Sequence, residues 1–373
     1  MKKILLLAVV LGLGLPLTGQ PTFHRIYDLT NGASENAFQI IPVEGGMYLD
    51  CGTWCNADFD FCPILFKVNN EGDSLWHRVY DYGWEDFTVF DLALDVNETI
   101  LYGSGRLNLG QDDLPFIVKM NEWGDTLWVK QYYAPYWDAA IDIQLARDGQ
   151  GLVAAVQGGS FSNFADLTVI KTDTAGQLLW STTIEDSIDY TYVGQLAVLQ
   201  DASIMLSFYY DTPPFYGRGY GIAKLSSNGE VEWVKFYDEL TESQNKPALL
   251  AAHPQGGVVT GWAFDTLRIP FVHPDEGPLL RRLDSDGEIL WEYKYLDRRS
   301  AEITNLTVTD NGDIVMCGSA PRKGCCSYPL PKCSSGVPNL RRHPAVYETL
   351  QPTLPGFHHA AIRHKDHLER QAY

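Results

Sequence analysis

The feature that most constrains this 373-residue chain is a unit of about 52 residues that recurs five times. Each copy carries a tryptophan, and successive tryptophans are 52, 52, 53 and 58 residues apart: Trp76, Trp128, Trp180, Trp233 and Trp291. A glycine lies four residues before each of them: Gly72, Gly124, Gly176, Gly229 and Gly287. A base lies nine residues before: Lys67, Lys119, Lys171, Lys224 and Arg282. Such self-similarity predicts a repeat architecture with one structural unit per copy.

Each unit also contains two alternating apolar runs separated by a turn. Six copies of this half occur, at 37–52, 89–104, 140–155, 193–208, 247–262 and 302–317. Turn pairs such as Gly45-Gly46 and Asn311-Gly312 between runs rich in Val, Ile and Leu predict β-hairpins. The unit is therefore four strands, and no linker interrupts residues 21–320. We expect an all-β chain folded as a β-propeller of about six four-stranded blades, the last of them incomplete.

The repeated residues are typical of packing positions. A glycine in the hairpin turn supplies a positive φ without steric cost. The tryptophan that follows on the next strand is large enough to fill the space between neighbouring sheets. The base nine residues earlier is expected on the partner strand, across the hairpin.

The start of the chain predicts export. Lys2 and Lys3 precede an apolar run from Ile4 to Leu15, so residues 1–20 have the order of a secretory signal peptide. This run of twelve residues is too short to span a bilayer, and no other segment approaches that length. Residues 23–28, FHRIYD, match 76–81, WHRVYD, which places Phe23 at the tryptophan position of a preceding unit. We therefore expect an exported protein whose mature chain begins with the last strand of a blade.

The pattern fails after Ala320. Residues 321–373 hold eight Lys or Arg against three Asp or Glu, whereas the whole chain has 28 against 47. They contain no tryptophan, no copy of the motif, and five of the nine histidines, whose spacing matches no metal site. Three interpretations stay open: a distinct tail, a disordered extension, or a coding disruption shortly after Ala320. The strongly acidic remainder argues against nucleic-acid binding, which needs clustered Lys and Arg.

The coding disruption makes a testable prediction. Because charge, aromatic content and periodicity all change in the middle of a repeat, we expect another reading frame of the gene to continue the pattern. Sequencing and translating the gene downstream of Ala320 should then recover a K-x-x-x-x-G-x-x-x-W segment. A gene that encodes no such segment in either other frame would exclude the disruption.

The seven cysteines are an odd number, so at least one is unpaired within the chain. Export favours a disulfide between Cys55 and Cys62 across the short loop between them. No histidine or further cysteine completes a zinc-like ligand set around them, so we expect no metal there.

Motifs for catalysis are absent from the sequence. It contains no nucleophile elbow, H-E-x-x-H, Walker loop or dinucleotide fingerprint. The chain has many acidic residues, so a pair of carboxylates at the mouth of the propeller channel could hydrolyse a glycosidic bond. A glycoside hydrolase is therefore an alternative. Residues 284–287, DSDG, resemble the start of a calcium loop, but a hairpin turn already explains them, so calcium is only an alternative and no cofactor is expected.

Five aromatic residues outside the repeated tryptophan position are the candidates for contact with a ligand: Trp54, Trp84, Trp137, Tyr209 and Tyr210. Packing between blades or within loops is the alternative role for each of them. A glycan, a peptide or a cell-surface protein is the expected kind of partner.

The signature K-x-[DN]-x-x-G-[DEQ]-x-[LV]-W resembles the repeat of secreted bacterial β-propellers of the quinoprotein-dehydrogenase-like type, frequent in Bacteroidetes. Lys119 to Trp128 and Lys171 to Trp180 show it best, and the resemblance covers residues 21–320. It implies that the glycine-to-tryptophan step docks neighbouring blades. The repeat region lacks the adjacent cysteines and calcium-binding carboxylates of the quinoprotein alcohol dehydrogenases. We therefore expect a non-catalytic binding scaffold, with a propeller hydrolase, lyase or quinone-dependent dehydrogenase as the alternative.

Overall fold

A computed structural model describes most of the repeat region. The described residues are 25–29, 35–54, 61–81, 86–108, 113–132, 137–149, 151–158, 167–184, 191–212, 217–237, 248–264, 277–295, 302–319 and 348–350. The expected signal peptide and all but three residues of 321–373 lie outside them.

The first three blades are four-stranded antiparallel sheets in chain order. Blade 1 comprises β1 (Glu35–Val43), β2 (Gly46–Trp54), β3 (Phe61–Asn69) and β4 (Ser74–Val79). Blade 2 comprises β5 (Asp86–Leu94), β6 (Ile100–Asn108), β7 (Asp113–Asn121) and β8 (Thr126–Gln131). Blade 3 comprises β9 (Trp137–Leu145), β10 (Leu152–Gly158), β11 (Leu167–Thr172) and β12 (Leu178–Ile184).

Blades 4 and 5 repeat this order, and blade 6 has three described strands. Blade 4 comprises β13 (Thr191–Val198), β14 (Ile204–Thr212), β15 (Gly217–Leu225) and β16 (Val231–Tyr237). Blade 5 comprises β17 (Leu249–Ala252), β18 (Val258–Phe264), β19 (Gly277–Leu283) and β20 (Ile289–Lys294). Blade 6 comprises β21 (Glu302–Val308), β22 (Ile314–Ser319) and β23 (Glu348–Leu350), so a three-residue strand of the atypical tail pairs with β22.

The hydrophobic core is divided among the spaces between consecutive blades. One cluster packs blade 1 on blade 2, and others join blades 2 and 3, 3 and 4, 4 and 5, and 5 and 6. The first strand of each blade lies against the first strand of the next. Sheets that pack face to face in chain order around their first strands form a β-propeller, as the repeat predicts.

The segment Arg25–Leu29 packs on blade 1 from the side opposite blade 2. Its Tyr27 hydroxyl donates a 2.7 Å hydrogen bond to the Gly72 carbonyl, and Arg25 pairs with Asp73 at 2.9 Å. Tyr80 and Arg78, 53 residues later, make the same two contacts with Gly124 and Asp125 of blade 2. The segment therefore occupies the position of an outer strand that precedes blade 1.

Four of the repeated tryptophans, Trp76, Trp128, Trp180 and Trp233, lie directly against the hairpin glycine of the following blade. The five motif glycines have positive φ values between 73° and 87°. A Cβ added at Gly176 would lie 2.9 Å from Cη2 of Trp128, and one at Gly287 would lie 2.8 Å from Cη2 of Trp233. The tryptophan ring thus packs on a bare backbone, which only glycine provides.

A hydroxyl group ties the same glycine to the preceding blade. Tyr132 and Tyr237 donate to the carbonyls of Gly176 and Gly287, at 3.0 and 2.7 Å. Blade 3 has Ile184 at the tyrosine position, and the Thr182 hydroxyl, two residues earlier, donates to Gly229 at 2.7 Å instead. The hydrogen bond is thus kept although the side chain that makes it changes.

The repeated bases pair directly opposite the tryptophans, as in Lys119 with Trp128. Two of these bases also reach the next blade: Lys119 donates to the Thr174 carbonyl at 3.1 Å and Lys171 to the Ser227 carbonyl at 3.3 Å. Both carbonyls lie two residues before a motif glycine. In blades 2 and 3 the base therefore holds the turn into which the tryptophan packs.

We predict that Gly176→Ala destabilises the protein more than Gly149→Ala does. Both glycines have a positive φ, 76° and 72°, but a Cβ at Gly149 would meet nothing within 4 Å. Gly149→Ala should therefore cost only the left-handed backbone penalty of about 1 kcal/mol. Gly176→Ala must also displace the Trp128 ring, which adds about 1–3 kcal/mol. Urea unfolding measures both, and equal losses would contradict the docking role.

Candidate functional site

The two faces of the propeller differ in their connections. On one face, short turns join the first strand to the second in all six blades, as at Glu44-Gly45, and the third strand to the fourth in blades 1 to 5. On the other face, the strand ends of blades 1 to 5 are separated by four residues, as at 109–112, to twelve, at 265–276, and β22 and β23 of blade 6 are separated by residues 320–347. We call this second face the long-loop face. Long connections on a rigid scaffold are where binding residues concentrate.

Two of the candidate contact residues map to the long-loop face. Trp54 ends β2 and Trp137 begins β9. The strand positions bring both residues to one face, and the orientation of their rings lies outside the description. Trp84 lies outside the described residues, in the stretch of sequence between β4 and β5.

Tyr209 and Tyr210, near the end of β14, are each only 6% exposed. Tyr210 belongs to the core between blades 3 and 4, and Tyr209 to the core between blades 4 and 5. Adjacent strand residues point to opposite faces of a sheet, so this pair serves both neighbours at once. Both side chains pack between blades, and their contact with a ligand stays a prediction. The exposed aromatic at this position is Tyr192, which stacks on Tyr209 with ring centroids 4.5 Å apart and was not among the sequence candidates.

A polar group lies at the same face, between blades 2 and 3. Arg106 of β6 and Asp113 of β7 approach each other at 3.8 Å. Asp138 of β9 has its pKa raised to about 6, chiefly by burial and secondly by the charge of Asp113, while Arg106 opposes the shift. This carboxyl therefore changes its charge in the weakly acidic range.

The centre of the propeller carries a row of polar residues that the sequence analysis did not single out. In five blades the pairing of the first two strands shifts by one residue, which is a β-bulge. In the first four blades, the residue after the bulged position is Gln39, Asp91, Asp142 or Gln195. Their spacing of 52, 51 and 53 residues is the signal that could have identified them.

Each member of this row accepts a hydrogen bond from the backbone of the next blade. Asp91 accepts the Ile143 amide at 3.0 Å, and Asp142 accepts the Leu196 amide at 2.9 Å. Gln39 binds Leu92 with both ends of its side-chain amide, and Gln195 accepts the Leu250 amide at 3.0 Å. The row ends in blade 5, where Leu249 occupies the position. We call these four residues the inner belt.

Asp91 and Asp142 also form a hydrogen bond to each other. Burial, followed by the charge of Asp142, raises the pKa of Asp91 well above its usual range. Burial raises the pKa of Asp142 too, although the hydrogen bond from Asp91 opposes this. Two carboxyls this close do not both ionise readily, which favours a state with one proton on the pair.

A cavity of about 230 Å³ lies beside this pair. Its lining comes from the first strands of blades 2 to 5: Phe90, Asp91, Ile141, Asp142, Gly194, Gln195 and Leu249. None of these seven residues is basic. The lining therefore offers no partner for the carboxylates of a quinone cofactor, and these residues do not fit such a group.

The carboxyl pair is also a poor match to glycoside hydrolysis. That reaction uses carboxyls about 5–5.5 Å apart with retention and about 6.5–9.5 Å apart with inversion. Asp91 and Asp142 hydrogen-bond directly to each other and to backbone amides of the following blade. Their oxygens are thus engaged in joining blades 2, 3 and 4.

The Asp284 carboxylate accepts the amides of Asp286 and Glu288 within its own turn. Asn69, Asn121 and Asp173 do the same in other blades. In the part of the chain that the structure describes, no group of three or more His, Cys, Asp or Glu side chains could hold a metal ion. A calcium site at Asp284 stays an untested alternative.

Cys62 is disulfide-bonded. Cys55 lies outside the described residues, so its pairing with Cys62 stays a prediction. Within the described ranges, no helix has the length and apolar character needed to cross a membrane.

No protein-family model and no curated protein sequence matches the chain. Solved structures with a similar fold do exist. The β-propeller domain of the Trilobed protease from Pyrococcus furiosus is 9% identical, with a TM-score of 0.45, and the match covers 78% of this chain and 79% of that one. Its structure is described as having an open velcro topology.

Puromycin hydrolase is 14% identical with a TM-score of 0.49, and the match covers 78% of this chain but 42% of that one. A quinonprotein alcohol dehydrogenase-like protein from Bacteroides thetaiotaomicron is 12% identical with a TM-score of 0.42, over 80% and 63% of the two chains. At these identities the neighbours share the propeller fold alone.

We predict that Asp91→Asn makes the stability of the protein less sensitive to a rise in pH between pH 5 and pH 8. The side-chain amide of this variant can still accept the Ile143 amide and donate to Asp142, but it has no proton to lose. Folding raises the pKa of Asp91, so the native state holds a proton that the unfolded chain releases above about pH 4. Wild-type stability therefore falls as pH rises through this interval, and the variant should lose less of it between pH 5 and pH 8.

The measurement is the urea midpoint of wild type and variant across that pH range. Asp310→Asn, at an exposed position of blade 6, is the control and should run parallel to wild type. A variant whose stability falls with pH as steeply as that of wild type would contradict the proton shared by Asp91 and Asp142.

Proposed function

We propose that the protein is an exported, non-catalytic binding scaffold whose long-loop face holds a glycan or a peptide of a cell-surface partner. Export rests on residues 1–20. The observation that carries the proposal is that the two faces of the propeller have different connections and different contacts. Short turns on one face hold the blades together, while the long connections and candidate contact aromatics share the other.

The short-turn face is committed to blade docking. Its hairpin glycines receive tryptophan rings, hydroxyl groups and bases from the preceding blade. A ligand that displaced these contacts would separate blades. The long-loop face makes no such demand, because the connections there can vary in length without changing the sheets.

Aromatic rings at strand ends suit both kinds of ligand. Trp54 and Trp137 are fixed to strands on this face, and the exposed Tyr192 ring stacks on a buried neighbour that holds it in place. Rigid aromatic side chains lose little conformational entropy on binding and dominate interface energies. A sugar ring or an apolar side chain could pack on such a platform.

The alternative, a propeller enzyme, gains its support from the Asp91–Asp142 pair alone. Because both carboxyls already bind each other and the next blade, the pair is better suited to structure than to acid–base chemistry. A quinone-dependent dehydrogenase is not supported either, because the described residues that line the cavity include no base to pair with the carboxylates of a quinone cofactor.

We expect binding of immobilised glycans or peptides to depend on Trp54, Trp84 and Trp137. The wild-type protein and a variant with all three changed to alanine would be tested on one glycan array and one peptide array. Buried tryptophans are hot spots worth about 2 kcal/mol or more, so the best wild-type ligand should bind the variant at least about tenfold more weakly.

Trp123→Ala is the matched control. Trp123 is also exposed, at 59%, but it lies in the β7–β8 turn on the short-turn face. Its change should leave binding within about twofold. Equal losses in the control, or turnover of the bound ligand that Asp142→Asn abolishes, would overturn the proposal of a non-catalytic long-loop site.

A further inference from the structure

The axial cavity has a specific origin in the sequence. At the bulged position, blades 2 and 3 place Phe90 and Ile141 beside the axis, whereas blade 4 has Gly194 at the same position. A missing side chain in one blade leaves space that the large residues of the preceding blades do not fill. The result is a cavity with apolar walls on two sides.

Polar groups converge on the same cavity. Asp142 is only 6% exposed, and it lies beside Asp91. Gln195 lines the cavity as well, and its side-chain carbonyl oxygen accepts the Leu250 amide. The inner belt ends here because Leu249 cannot continue it. No hydrogen bond to a described residue engages the Nε2 donor of Gln195, unlike that of Gln39, which binds the Leu92 carbonyl.

The charge of the cavity is unbalanced. The Asp91–Asp142 pair carries one negative charge when it holds a single proton, and the other five described lining residues are neutral. Backbone amides of Ile143 and Leu196 donate to the pair, but none of the described lining residues is a cation. A buried negative charge is stabilised further by an opposite charge, so a cation of suitable size would be attracted to the pair. The apolar Phe90, Ile141 and Leu249 surfaces would favour a cation with a hydrocarbon part.

We propose that this cavity is a binding site for a small organic ammonium ion, with the ammonium group on the Asp91–Asp142 pair and its alkyl part against Phe90, Ile141 and Leu249. The volume of about 230 Å³ equals roughly the share of seven or eight water molecules. An alkylammonium ion with five non-hydrogen atoms fits within it. A free amine, a lysine side chain or a peptide amino terminus all present this chemistry. The site is independent of the long-loop face.

The test is isothermal titration calorimetry of the full-length exported protein with n-butylammonium at pH 7. We expect a Kd of about 1 mM, which respects the ligand-efficiency ceiling for five non-hydrogen atoms. 1-Butanol keeps the alkyl part but lacks the charge, and sodium ion keeps the charge but lacks the alkyl part. Both should bind at least about tenfold more weakly.

Two variants locate the site. Gly194→Leu fills the cavity without changing charge and should abolish the butylammonium signal. The double variant Asp91→Asn/Asp142→Asn removes both carboxyls while keeping the shape, and should weaken binding at least about tenfold. Asp50→Asn is the control, because Asp50 is a buried carboxyl that lies in a different cavity, between blades 1 and 2, and its change should leave the Kd within about twofold.

Circular dichroism of each variant establishes that the sheets are retained. Wild-type protein that gives no butylammonium signal up to about 50 mM would overturn the proposal, as would a folded Gly194→Leu variant that binds like wild type. Equal affinity for 1-butanol would overturn the role of the carboxyl pair. Loss of glycan or peptide binding with ammonium binding intact would count against the long-loop proposal alone.

Discussion

The contact between a tryptophan ring and the bare glycine backbone of the next blade is the interaction on which the rest of the structure depends. It sets the distance between consecutive sheets, because a Cβ at the glycine would lie within 3 Å of the ring at Gly176 or Gly287. The neighbouring tyrosine or threonine hydroxyl and the repeated base then hold the same turn by its carbonyls. One hairpin thus receives apolar, neutral and charged contacts from a single preceding blade.

A second set of links acts near the axis. The inner belt joins blades by side-chain to backbone hydrogen bonds, while the tryptophans join them at the periphery. Two rows of contacts at different radii fix the angle between sheets as well as their separation. This arrangement buries two neighbouring carboxyls, and burial raises the pKa of Asp91. The two carboxyls fix the position of the next blade, because each accepts a hydrogen bond from its backbone.

The fold could be predicted from the sequence because its strongest contacts repeat. The spacing of Trp76 to Trp291, with the glycines before them, gives the repeat, and the six pairs of apolar runs give its four strands and a count of about six blades. The inner belt is hard to predict from the sequence, because its four positions hold either Gln or Asp. A β-bulge also shifts these positions out of the regular alternation of strand residues. The burial of Tyr209 and Tyr210 could not be read from their position near a loop, since both faces of β14 pack on neighbouring blades. The cavity depends on one glycine, Gly194, whose effect appears only when the blades are brought together.

Docking between blades runs in one direction along the chain. In blades 2 to 5 the hairpin glycine receives the tryptophan of the blade that precedes it in sequence, so these four contacts all have the same direction. An array of this kind is close to a one-dimensional stack with nearest-neighbour coupling. Whole units can then be gained or lost at the downstream end while the upstream interfaces keep their geometry. The five described blade-to-blade cores consequently form a scaffold that does not need a perfect sixth repeat to stay assembled, which makes the departure of the sequence after Ala320 compatible with an intact upstream structure.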